Sequence, residues 1–435
     1  MRKATVSRCG FLALLLGLCG LCGCHSPGKN AEQAALVACF LPIDAVGIAL
    51  APVGLAAKAY ERADGAQGAV FAPNGEHIAF AYRRGAHRRL YLVGADGSEC
   101  RSVTSGSRFD FAPVFSPDGS MLAFCSKAGA TGKPALFVAD ADGGGLRQLT
   151  AAGMSVWGPQ FSPDGKRIVF IRTGKQATDT RCGALCVTNV DGTGFQQLTN
   201  DPMPDLLPSW RDDHNLIFWR AHWYGHSSPI ASSDWHRFNL WSICDDGSEA
   251  KQLTNECYYR LEQASLSKDG VTLSFFGSNS CNDMHVLSLD SPSLTRKVIP
   301  RGDRYYSSGD GRRRYEYVDD PAFSNDGKFA AFALWGYISK ERGLVGELHV
   351  VNMSSGDAVT VLELSGSRII APVFSNDGRR IVFCVDPKPN ASRKVSQLWI
   401  VNRDGTEARQ IQFTLPDSPK TPHKQSGEGI PQAGK

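Results

Sequence analysis

The chain has 435 residues and a formal net charge of +4. Three of those charges, Arg2, Lys3 and Arg8, precede residue 24, so a chain trimmed there keeps about +1. Near-neutrality excludes the broad basic stripe that nucleic-acid binding needs.

The first element is a basic start followed by an apolar run from Phe11 to Leu18 and then "LCGC", ending at Cys24. This is the pattern of a secretory signal, too short to span a bilayer. "LCGC" resembles the lipobox of bacterial lipoproteins, with Leu21 at −3, Gly23 at −1 and Cys24 as the lipidated residue. His25, rather than Asp, follows it, and resemblance to enterobacterial sorting rules then implies the outer membrane facing the periplasm. Residues 24–66 continue with the apolar stretch 35–60, broken by Pro42, Asp44 and Pro52. One or two short helices on the membrane or against the domain are expected there. At the other end, residues 414–435 are rich in Pro, Ser, Gly and Lys, which implies disorder.

Between residues 67 and 413 one phrase returns. It reads "FAPNGEHIAF" from Phe71, "FSPDGSMLAF" from Phe115 and "FSPDGKRIVF" from Phe161. Later come "FSNDGKFAAF" from Phe323 and "FSNDGRRIVF" from Phe374, with worn copies at Trp210 and Leu266. Each phrase is strand, turn, strand. Pro presets φ, Asp bonds the backbone ahead and Gly accepts positive φ, so Asp118, Asp164, Asp326 and Asp377 are turn formers and not acid catalysts. A third strand follows, such as "LYLV" from Leu90 or "LWIV" from Leu398, then a second turn holding Asp96, Asp142, Asp191, Asp246 or Asp404. A fourth strand often ends in "QLT". Units of four strands, here A to D, recurring about every 50 residues are the signature of a propeller. The expected fold is all-β: a seven-bladed β-propeller of four-stranded antiparallel blades behind a short helical N-terminal segment. Ring closure is expected from packing of the last blade on the first, without a shared strand.

The Pro/Asn-Asp-Gly turn and closing "QLT" resemble the TolB-type propeller repeat across residues 67–413. That resemblance implies an envelope protein that binds a protein or peptidoglycan-associated partner. The long insertions fall in the B–C and D–A loops, on one face, where binding residues collect. Trp223, Tyr224, Trp235, Tyr258, Tyr259, Tyr305, Tyr306 and Trp335 supply flat amphipathic area there, and Arg260, Arg312 and Arg313 supply carboxylate forks. His222 and His226 sit four apart, with His236 beyond. Oligogalacturonate lyase resembles this chain in its repeats and carries a histidine-held metal, which implies a divalent metal at those histidines and a polysaccharide ligand. Otherwise no cofactor is expected. No GxSxG elbow, Walker loop or dinucleotide fingerprint occurs. "RGD" at Arg301 is too short to carry meaning. Nine cysteines besides Cys24 follow it, an odd number without a framework; Cys182 with Cys186 and Cys257 with Cys281 are candidate bridges.

Overall fold

The computed structural model describes residues 64–416 apart from 107, 128–131, 152, 174–182, 201–204, 222–237, 256–260, 279–281, 292–295, 300–316, 340–342 and 388–394. The expected boundaries at 66 and 414 are corrected, since Asp64–Ala66 belong to a strand and Leu415 is buried in the core. Cys24, the expected helical segment up to residue 63 and residues 417–435 lie outside the described residues. Twenty-eight strands and no α-helix occur among them.

Each repeat supplies four strands in chain order. Repeat one gives β1 (Asp64–Phe71), β2 (His77–Arg84), β3 (His87–Gly94) and β4 (Arg101–Ser102). Repeat two gives β5 (Asp110–Phe115), β6 (Met121–Ser126), β7 (Ala135–Asp140) and β8 (Arg147–Gln148). Repeat three gives β9 (Val156–Phe161), β10 (Arg167–Arg172), β11 (Ala184–Asn189) and β12 (Gln196–Gln197). In repeat four they are β13 (Asp205–Trp210), β14 (Asn215–Ala221), β15 (Phe238–Cys244) and β16 (Lys251–Gln252). In repeat five they are β17 (Leu261–Leu266), β18 (Thr272–Ser278), β19 (Asn282–Ser288) and β20 (Arg296–Ile299). Repeat six has β21 (Tyr317–Phe323), β22 (Phe329–Ser339), β23 (Gly343–Asn352) and β24 (Ala358–Ser365). Repeat seven has β25 (Ser367–Phe374), β26 (Arg380–Pro387), β27 (Val395–Asn402) and β28 (Arg409–Gln410).

Repeats two to six form five separate four-stranded antiparallel sheets. The other eight strands form one sheet, in which β27 of the last repeat pairs in parallel with β1 of the first. The expectation of seven separate blades is corrected to five plus this joined sheet. The closure expectation is corrected with it, because Asp64 pairs with Val395 and Gly65 with Ser396 across the seam. The physical reason is a close backbone approach at Gly65. A Cβ there would lie 2.3 Å from the Ser396 carbonyl oxygen, and the residue holds φ +112°.

The local rules of the repeat explain its sequence. Across the central B–C register stand Phe80 and Tyr91, Phe124 and Phe137, Phe218 and Trp241, Phe275 and His285, Phe332 and His349, and Phe383 and Trp399. Directly opposed aromatic pairs stabilise a sheet by roughly 0.2–1 kcal/mol each. His285 and His349 thus fill ring positions, stacked 4.9 and 5.2 Å from their phenylalanines. The "QLT" ending is also explained. The Thr104, Thr150, Thr199 and Thr254 hydroxyls accept the amides of Leu90, Leu136, Leu185 and Leu240, each at 2.9 Å. Two-residue D strands are thereby pinned to their neighbours.

Apolar residues gather between repeats. Leu92 and Phe124 share one cluster, Cys125 and Phe170 the next, and Phe80 and Cys384 the one that crosses the seam. Arginines staple one repeat's turns to the next: Arg167 to Asp245, Arg380 to the Gly75 carbonyl (2.6 Å) and Arg409 to the Ala95 carbonyl (2.7 Å). Cys125, Cys186 and Cys384 are buried free thiols. Cys182 of the candidate Cys182–Cys186 bridge lies outside the described residues; Cys186 packs in the cluster between repeats two and three. Burial pushes the Cys186 and Cys384 thiols up to about 12 and the half-buried Cys100 to about 11. Cys257 and Cys281 lie outside the described residues.

Candidate functional site

The two ends of the propeller differ. At one end are the A–B and C–D turns, whose acids are engaged by their own turns. Ser116 Oγ donates to Asp118 at 2.6 Å and Ser267 Oγ to Asp269 at 2.5 Å, and the Ser120 and Val271 amides add to these. These hydroxyl bonds hold both carboxyls below their ordinary range. Asp96, Asp191, Asp246 and Asp404 are held low in the same way by Ser98, Thr193, Ser248 and Thr406. Acids held in this way are unsuited to proton transfer near neutrality.

At the other end, the β2–β3 hairpin turns at Gly85 and Ala86 and carries "RRGAHRR", residues 83–89. Arg83 lies opposite Arg88 and Arg84 opposite His87. Arg84 and His87 are exposed, and Arg83, Arg88 and Arg89 are half-buried. Three cations converge on the Phe109 ring: Arg88 at 4.1 Å from its centroid, Lys127 at 5.5 Å and Arg83 at 5.9 Å. Arg88 is fixed in place. Its Nε donates to the Asp110 carbonyl and its Nη1 to Gln67 Oε1, both at 2.8 Å. Its backbone amide bonds the Arg108 carbonyl at 2.9 Å, which ties repeat one to repeat two.

An aromatic row leads away from these cations. Phe109 meets Phe111 with centroids 6.4 Å apart, and Phe111 meets Trp157 at 4.7 Å. The Trp157 Nε1 and Arg108 Nη2 donors are buried and have no hydrogen-bond partner among the described residues. Among the described residues two carboxylates are present: Asp64, which accepts the Gly85 amide at 2.8 Å, and the fully buried Asp110. Asp110 accepts from Thr104 Oγ1 at 2.6 Å and from Arg108 Nε at 3.2 Å. Burial raises the Tyr82 phenol, with Asp64 adding to this and Arg84 opposing it. Cations outnumber acids here, so the corner attracts anions and presents planar guanidinium groups beside aromatic faces.

A second built ion pair lies in repeat four. Arg220 grips the buried Asp205 through Nε (2.7 Å) and Nη2 (3.1 Å), with its guanidinium 5.0 Å from the Phe218 and Trp241 rings. This pair lies at the root of the insertion that carries the histidines.

Of the residues singled out from sequence, His222, Trp223, Tyr224, His226, Trp235 and His236 lie outside the described residues. So do Tyr258, Tyr259, Arg260, Tyr305, Tyr306, Arg312 and Arg313. Trp335 is placed by its backbone, in β22 opposite Tyr317 and Gly346. The insertion in repeat six was expected as a loop; it is largely an extended hairpin, since β22 runs to Ser339 and β23 starts at Gly343. Among the described residues no three His, Cys, Asp or Glu are grouped to hold a metal. Insertion length does not point to the basic corner, because this hairpin is short. Its signal was in plain view: four arginines and a histidine in seven residues.

Residues 55–228 match the family model of the TolB beta propeller domain. Among solved structures, an oligogalacturonate lyase in complex with manganese is 17% identical, with a TM-score of 0.54 over 78% of this chain and 89% of that one. The oligogalacturonate lyase of Vibrio parahaemolyticus is 14% identical with the same score and coverage. The β-propeller domain of the Trilobed protease from Pyrococcus furiosus is 12% identical, with a TM-score of 0.56 over 81% of this chain and 96% of that one. At such identities these likenesses show the fold alone. No curated protein sequence matches the chain.

Proposed function

From TolB-type propeller repeats as the premise, we propose that this chain is a cell-envelope lipoprotein whose propeller binds a partner without catalysis. In this reading residues 1–23 are a signal peptide, Cys24 is lipidated and the spacer and apolar segment run up to β1, which starts the propeller at Asp64 rather than at residue 67. The propeller core extends to Leu415, past the expected boundary at 413, and the disordered tail follows it. The eight-stranded sheet counts as blades one and seven, which gives a ring of seven. The protein sits on the outer membrane facing the periplasm. The partner is an envelope protein or a peptidoglycan-associated one.

The observation that carries the reading is the contrast between the ends: self-satisfied turns on one, and all the long insertions and the basic hairpin on the other. Binding surfaces concentrate aromatic and arginine anchors of the kind those insertions hold. The experiment is cross-linking in intact envelopes followed by replacement of Trp223, Tyr259 and Arg313 with Ala. Loss of the cross-linked partner on replacement is expected. Retention of the partner by all three variants would refute the assignment of that face.

A second reading is a polysaccharide-active propeller with a divalent metal at His222, His226 and His236. The spacing of those histidines favours it, and a lyase bound to manganese has the same fold. Stoichiometric metal in protein purified without chelators, lost in the His222→Ala, His226→Ala variant, would establish it over the scaffold.

A further inference from the structure

The basic corner lies where the chain enters the propeller. Asp64 opens β1, and its carboxylate accepts the Gly85 amide at the tip of the β2–β3 hairpin. The apolar stretch 35–60 therefore ends four residues before a residue bonded to the basic hairpin itself. We infer that this corner of the propeller docks on anionic lipid, with Arg83, Arg84 and Lys127 facing the headgroup phosphates. The inference rests on the membrane-anchored reading of the N-terminal residues proposed above.

Three lines of physical argument support it. Cations crowded around one ring repel one another, and among the described residues they outnumber the two carboxylates at the corner, Asp64 and the buried Asp110. An anionic surface relieves that repulsion. Arginine forks suit phosphate oxygens, and Arg84 at the hairpin tip is exposed beside the half-buried Arg83. Finally, an apolar segment followed by a basic cluster combines the two signals that stable peripheral anchoring requires. The inner strands of successive repeats touch in order from repeat one to repeat seven and back, so repeats four and five lie across the ring.

The test uses the full chain carrying Cys24→Ala, made without acyl chains, and co-sedimentation with vesicles. One set is phosphatidylcholine, the other phosphatidylcholine and phosphatidylglycerol in equal parts. The expected result is preference for the anionic vesicles, weakening with salt as Debye screening shortens the interaction. Arg84→Ala and Lys127→Ala remove exposed side chains and should each lower binding about fivefold. Lys166→Ala and Lys328→Ala, also exposed but at the opposite end, should not. Equal binding to both vesicle types, or an equal loss in the control pair, would overturn the inference. Capture of soluble polygalacturonate without any vesicle preference would do the same and assign the corner to an acidic polysaccharide. The mass of wild-type protein at Cys24, measured separately, tests the anchor: an unmodified cysteine refutes lipidation and leaves the vesicle result standing.

Discussion

Thr150 shows how much a single hydroxyl carries in this fold. It is buried, and its Oγ1 accepts the Leu136 amide while the Gln148 side chain bonds its carbonyl at 2.6 Å. Thr150→Val keeps the shape and leaves that amide unsatisfied, which costs about 1–3 kcal/mol. Urea unfolding of the variant checks this, and a midpoint equal to wild type would refute the role. At this scale the sequence was partly legible. Turn acids could be read because Asp before Gly has a local mechanism that needs no tertiary context. The threonine was visible only as a recurring letter, since its partner lies 14 residues away on another strand. The basic corner was half legible: residues 83–89 are contiguous, but Phe109 and Lys127 join them only through the fold.

Strands A, B and C of each element group were legible from alternating apolar residues and turn signals, which are local properties. Two features were not. The repeat-six hairpin reads as an insertion because Gly336, Gly343 and Gly346 weaken the strand signal, yet pairing with the eight-residue β24 extends it. The seam was hidden because parallel pairing of β1 with β27 is the most distant contact a chain can make. Gly65 is the residue that permits it. Gly65→Ala is expected to cost on the order of 3 kcal/mol, from strain at φ +112° and collision with Ser396. Gly68→Ala is the control, since φ there is +57° and no atom lies within 4 Å of the added carbon; it should cost about 1 kcal/mol. Faster hydrogen exchange at the Ser396 amide in the first variant alone would locate the damage at the seam. Equal effects in both would remove the special role of Gly65.

The molecule as a whole distributes its acid sensitivity around the ring. Asp118 and Asp269 have folded pKa values below the ordinary carboxylate value near 4, from serine hydroxyls and backbone amides. A depressed pKa means the fold favours the ionised form. The stability these groups add is therefore full above the ordinary value and is lost as pH falls through it toward the folded ones. The expected outcome is a Tm with no contribution to its slope from these groups between pH 5 and 8, falling as pH drops below about 4. Differential scanning calorimetry across that range measures it, and a Tm unchanged down to pH 2 would contradict it. Because every neighbouring pair of repeats shares apolar residues, loosened turns in several repeats act on one cooperative ring.

The seam has a mechanical meaning. β1 is both the strand by which the chain enters the propeller and the strand that fastens the last repeat to the first. Tension applied through the residues before Asp64 is therefore delivered first to two paired positions, Asp64 with Val395 and Gly65 with Ser396. The longer antiparallel ladder from β1 to β2 shares the load. Tether and latch are one piece of chain, so a pull on the leash is a pull on the clasp.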